Sequence, residues 1–136
     1  MKKCRKCVIC PYVLESNCVS CSQNNVKLPV TNPVDCTSSN VIYLIQCTKP
    51  SCKQQYIGQT GRLLKGRIKE YIGYIKNSKL SEPTGFHFNQ SGHNVSMLNV
   101  IILEKCKYNS KIYRESREEH FINLFETKYK GMNRKL

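Results

Sequence analysis

Asn40-Val41-Ile42-Tyr43-Leu44-Ile45-Gln46-Cys47 is the stretch on which the reading of the fold turns. Val41 to Ile45 form a short apolar run rich in β-formers, which predicts a buried strand. A loop containing Pro50 follows, and Gln54-Gln55-Tyr56-Ile57-Gly58 then reads as its antiparallel partner. Residues 62 to 77 read as a helix. Leu64, Ile68, Tyr71, Ile72 and Ile75 fall on one stripe at helical spacing, with Lys65, Lys69 and Lys76 elsewhere on its surface. Residues 78 to 95 are mixed, and Val100-Ile101-Ile102-Leu103 makes a third strand beginning near Leu98. A second helix, residues 110 to 126, bears Ile112, Phe121, Ile122 and Phe125, and Gly131 and Asn133 sit in a turn-like tail. From Asn40 onward the chain is therefore a compact unit of strands and helices.

Upstream of Asn40 the text changes. Residues 1–39 are polar and cysteine-rich, holding Cys4, Cys7, Cys10, Cys18, Cys21 and Cys36, with Pro11, Pro29 and Pro33 breaking any long helix. The chain thus divides into a basic, Cys-rich segment (1–39) and a compact domain (40–136). Twenty-two Lys and Arg against nine Asp and Glu give a formal charge of +13. Such an excess favours a polyanionic partner, nucleic acid ahead of membrane, because no run approaches the ~20 apolar residues a membrane span needs. A merely soluble basic surface is the competing reading. Nine cysteines are an odd count, and Met1-Lys2-Lys3-Cys4 leads into no apolar signal segment. Metal-bound thiolates in a reducing, intracellular or nuclear setting fit better than a secreted disulfide framework.

Two tyrosines, Tyr43 and Tyr56, lie on the paired strands, where an antiparallel hairpin can set them side by side. Packing alone accounts for most such pairs. Arg67 borders the apolar stripe of its helix next to Leu64 and Tyr71. It either snorkels to solvent or brings a guanidinium to the phenols, where it suits a scissile phosphate. Glu118 shares a helix face with Phe121, Ile122 and Phe125. An inward carboxylate needs a cation or several hydrogen bonds. The bland partner is Arg114 at i,i+4; the sharper one is Mg²⁺ or Mn²⁺, which bind through few carboxylates, water and phosphate oxygens.

Val41-Ile42-Tyr43, Tyr56-Ile57-Gly58, Arg67 in Leu63-Leu64-Lys65-Gly66-Arg67, Glu118 in Arg117-Glu118-Glu119-His120-Phe121-Ile122, and Asn133 in Gly131-Met132-Asn133 resemble the ordered motifs of GIY-YIG nucleases. The resemblance covers roughly residues 40 to 134. It implies an α+β fold with a small three-stranded antiparallel sheet flanked by helices, and metal-dependent hydrolysis of a DNA phosphodiester. It would place Tyr43 and Tyr56 around the attacking water, Arg67 on the phosphate, Glu118 on the metal and Asn133 in support. Val41 departs from the first glycine of the motif name. Tyr71 stands four residues after Arg67, where many relatives carry histidine and the excision-repair nucleases tyrosine.

Cys47 and Cys52 flank the loop between the tyrosine strands, and His87 and His93 follow. Two thiolates and two imidazoles make a tetrahedral zinc set, with Pro50 and Gly92 helping each loop turn; buried thiols plus surface histidines are the alternative. The arrangement looks like that of Penelope-like retroelement endonucleases, which implies structural zinc. Cys4, Cys7, Cys10, Cys18 and Cys21 have ligand-like spacing for a second zinc, and Cys36 could join; spacing does not choose which four. Lys2, Lys3, Arg5 and Lys6 beside them suit phosphate contact or a solvated tail. The expected function is a DNA-nicking domain, or a fragment of one, that in a parent element would serve a reverse transcriptase. The rival is a catalytically inactive, zinc-stabilised DNA-binding module.

Overall fold

The computed structural model describes residues 1–30 and 32–133 and shows an α+β fold. A small hairpin of β1 (Cys18–Ser20) and β2 (Lys27–Pro29) precedes β3 (Val41–Cys47), β4 (Gln55–Thr60) and β5 (Leu98–Lys105). The last three form an antiparallel sheet in the order β4-β3-β5. Only Gln46 of β3 escapes full burial, which is why this central strand reads as an unbroken apolar run instead of an alternating one. In the register, Tyr43 pairs with Gly58 and Ile45 with Tyr56. The two tyrosines therefore share a face but stand on a diagonal, not side by side. The pairing of β3 with β5 shifts between Ile42 and Tyr43, from Glu104 to Ile102.

Helix α1 (Leu64–Lys76) buries Leu64, Ile68, Tyr71, Ile72 and Ile75, the stripe expected of it. It lies on the Tyr43 face of the sheet, where Tyr71 meets Tyr43. In the region that read as mixed, α2 (Pro83–Phe88) forms with proline in its first turn. Helix α3 (Lys111–Phe125) starts at Ser110, whose hydroxyl accepts from the Tyr113 N–H, and stops at Glu126, which adopts φ 55°. Phe121 and Phe125 are buried; Ile112, in the first turn, is 83% exposed and takes no part in the core. A last turn, α4 (Thr127–Lys130), precedes the tail.

The cysteine-rich segment is built into the same core. Met1, Ile9, Val13, Val19, Val34 and Cys36 are buried in one cluster with β3 and β5. Val13 bridges Val100 in parallel, and the Leu14 N–H donates to the Val100 carbonyl at 2.9 Å. An exposed strand edge invites pairing with another chain, so both outer strands need cover. The N-terminal segment covers part of β5. The tail covers β4: the Met132 N–H donates to the Gln55 carbonyl, and the Asn133 side chain brackets Ile57. Among the described residues no helix is long and apolar enough to cross a membrane.

Candidate functional site

Helix α1 and the sheet assemble a cluster of phenols around one guanidinium. Tyr43 and Tyr71 are buried, with their hydroxyls 2.6 Å apart. Gly58 makes room for this: a Cβ there would lie 2.5 Å from the Tyr43 Cζ, deep inside van der Waals contact. The Tyr56 and Tyr74 rings meet Tyr71 edge-on, each with centroids 5.9 Å away. Arg67, one turn before Tyr71, lays its guanidinium 4.4 Å from the centre of the Tyr71 ring. Its Nη1 also reaches the Glu70 carboxylate at 3.4 Å, while 25% of its side chain stays open to solvent. Such a group can meet a phosphate without leaving its shelf. Burial pushes the phenols of Tyr43, Tyr56 and Tyr71 well above the ordinary tyrosine range. At neutral pH they are hydrogen-bond donors, not bases.

Glu118 comes to this cluster from α3, which packs along β4. It is half-buried, within Coulombic reach of Arg67 and Tyr56 and close to the Gln59 backbone N–H. Burial, and then the Glu115 charge, push its carboxyl up to about 7; Arg67 and the Gln59 N–H pull the other way. It forms no salt bridge among the described residues. Arg114, its expected i,i+4 partner, points elsewhere: Nε donates to Gln59 Oε1 at 3.0 Å, and Nη1 donates to Asn40 and Asn109. A carboxylate that is partly out of water and without a salt bridge suits a divalent cation. Asn133 stays outside the cluster. Its amide accepts from the Ile57 N–H at 2.6 Å and donates to the Ile57 carbonyl at 2.8 Å, so it steadies the strand beside Tyr56.

Two four-residue groups have the geometry of metal centres. Cys47, Cys52, His87 and His93 come together, with their ligand atoms all within 4.8 Å of one another. Cys52 Sγ lies 3.4 Å from His87 Nε2. The Nδ1 of His93 faces the Ser91 carbonyl, and its Nε2 is buried without a hydrogen-bond partner. A metal-bound imidazole has this arrangement, one nitrogen oriented by a carbonyl and the other presented to the ion. Gly92 permits the turn between the ligands, at φ +77°. Burial pushes the Cys47 thiol up to about 11, which opposes thiolate formation until a cation is present.

The second group is Cys4, Cys7, Cys10 and Cys36. Tetrahedral zinc with Zn–S bonds near 2.3 Å sets sulfurs about 3.8 Å apart. Here the separations are 3.3 Å for Cys4–Cys7, 3.6 Å for Cys7–Cys10, 3.7 Å for Cys4–Cys10 and 3.9 Å for Cys10–Cys36. Backbone N–H groups also face the sulfurs. That of Cys4 donates to Cys36, and that of Cys7 leads in holding the Cys10 thiol down to about 6. This group is suited to structural zinc.

Cys18 and Cys21, expected as candidates for that centre, stand outside it. Cys18 is exposed on β1, while the Cys21 sulfur is turned toward the Phe125 carbonyl at 3.5 Å. The hairpin built from this stretch carries them away. Cys36 is the ligand the sequence named least firmly, since no Cys-x-x-Cys spacing marks it. Glu70 and Tyr74, which hold Arg67 and Tyr71, gave no sequence signal beyond their place one helical turn along. Comparison of the chain with protein-family models, curated proteins and solved structures gives no match.

Proposed function

We propose that the protein is a metal-dependent DNA endonuclease of the GIY-YIG kind, with the cluster around Arg67 as its active site. The observation that carries this reading is the cluster of Tyr43, Tyr56 and Tyr71 around the Arg67 guanidinium, with the half-buried Glu118 carboxyl of α3 within electrostatic reach of Arg67 and Tyr56. Such a set has the parts that phosphodiester hydrolysis needs: a cation held by Glu118, a guanidinium for the phosphate, and hydroxyls to orient water.

Each side chain has a distinct task. Arg67 binds a non-bridging phosphate oxygen and offsets the charge that grows on it. The hydroxyls of Tyr43, Tyr56 and Tyr71 are protonated at neutral pH, so they position the attacking water, and the Tyr43–Tyr71 contact fixes the orientation of that pair. Glu118 must give up its proton before it can hold Mg²⁺ or Mn²⁺. A bound divalent cation supplies charge compensation at the leaving oxygen. The two cysteine-containing groups hold structural zinc, because four protein ligands leave no open position for chemistry. The +13 charge draws the chain to DNA, and a Penelope-like parent element acting in the nucleus is the setting this reading favours.

Supercoiled plasmid incubated with Mg²⁺ or Mn²⁺ tests the proposal. The wild-type chain nicks it. Glu118→Ala and Arg67→Ala each lower the rate at least about a hundredfold, in line with loss of one transition-state contact. DNA binding without any nicking would favour a non-catalytic zinc-stabilised module.

A further inference from the structure

The first turn of α1 lacks a side-chain cap of its own, because its N-cap position is Leu63. Helix N-termini leave four N–H groups without intrahelical partners, and something must accept them. Here the acceptors come from the cysteine loop. The Lys65 N–H donates to the carbonyl of Cys36, and the Leu64 N–H to the carbonyl of Ser38, both at 2.8 Å. Residues 35–38 form a tight turn: the Ser38 N–H donates to the Asp35 carbonyl, the Asp35 N–H to Ser38 Oγ, and the Thr37 N–H to the Asp35 carboxylate. One end of this turn is tied to the four-sulfur group through Cys36, which is fully buried.

Arg67 is the next residue but one after Lys65, and its own N–H closes the first turn onto the Leu63 carbonyl. Residue 36, the cap and the guanidinium thus lie in one mechanical series. From this arrangement we infer that metal at Cys4, Cys7, Cys10 and Cys36 positions Arg67 by holding the Cys36–Ser38 turn against the start of α1. Without the metal, four sulfurs crowded within 4.8 Å have no common partner. The loop then loses its anchor, and the first turn of α1 frays. Cys36 is accordingly a positioning residue for the site, and the N-terminal centre is more than a staple for its own segment. The inference rests on the nuclease reading for the task of Arg67, but not for the coupling itself.

Amide hydrogen exchange on the full zinc-loaded chain tests the coupling, with metal content measured on the same samples. Cys36→Ser should lose one metal ion, and the Leu64 and Lys65 amides should exchange roughly tenfold faster or more, while Leu44 and Ile45 in β3 keep their protection. Cys52→Ser, in the other centre, should also lose one ion yet leave Leu64 and Lys65 protected. The Cys36→Ser chain should further lower kcat for nicking, and its Arg67 Nε–H resonance should move. Unchanged Leu64 and Lys65 exchange in Cys36→Ser, or equal acceleration in Cys52→Ser, overturns the inference. If Cys36→Ser does not fold, chelator titration of the wild type decides. Leu64 and Lys65 must then open before Leu44 and Ile45, and simultaneous loss overturns the coupling. A wild-type chain that shows the expected exchange pattern but never nicks DNA refutes the nuclease reading and leaves the coupling standing.

Discussion

Glu118 is a carboxyl group held partly out of water, and its protonation is the most direct handle on the site. Its folded value near 7 lies above the 4.5 of an unperturbed glutamate. Between those values the folded chain binds more protons than the unfolded one, so stability falls as pH rises through that window. In metal-free protein, Glu118→Gln should remove that fall, a difference of order 1 kcal/mol once solvent access is discounted. Thermal midpoints of both chains at about pH 4 and about pH 8 check it, and parallel curves would refute the raised value. Gly58 is the second informative residue. Gly58→Ala drives a methyl group into the Tyr43 ring and should cost about 1–3 kcal/mol, read by denaturant unfolding. Nicking should suffer too, since Tyr43 would lose its place beside Tyr71.

At the scale of elements, the sheet depends on what its edges meet. Strand β4 is held on its open side by Asn133, whose amide mimics a strand peptide for Ile57. Asn133→Ala removes both hydrogen bonds and should destabilise by about 1–2 kcal/mol, with faster exchange of the Ile57 amide. The Cys47–Cys52 loop and the segment around His87 and His93 meet at their ligand group, where two stretches far apart in sequence can be pinned to each other. His93→Ala or Cys47→Ala should therefore lower the thermal midpoint more than it changes nicking below that midpoint. Activity lost with folding untouched would contradict a structural role. The strand run Val41–Ile45 and the α1 stripe were legible because burial writes a local pattern into the chain, an unbroken apolar run in the first and a helical period in the second. Ile112 misled, since the same period does not say where along a helix the sheet begins. Cys36 and the hairpin holding Cys18 and Cys21 were not legible, because their placement depends on contacts far away in sequence.

For the molecule as a whole, the charge of +13 and one shared core set the behaviour. Binding to duplex DNA should release counterions and weaken steeply with salt. With about six phosphate contacts, affinity should fall roughly a thousandfold between about 50 and about 200 mM salt. A titration across that range measures the slope, and a flat response would exclude a phosphate-tracking surface. The N-terminal segment, which by composition buries little, packs Ile9, Val13, Val19 and Val34 into the core of the sheet. Its shape is thus maintained by the neighbouring strands as well as by its sulfurs.

By itself the sequence determined the strands β3 to β5, the buried stripe of α1 and the supply of thiols and imidazoles from which metal groups could be built, because each follows from local pattern and side-chain chemistry. Tertiary structure alone decided which cysteines meet, that Glu118 is half-buried within electrostatic reach of Arg67, and that Cys36 and Ser38 cap α1. Those outcomes need groups tens of residues apart to converge, and convergence is settled by packing a common core, not by any local period.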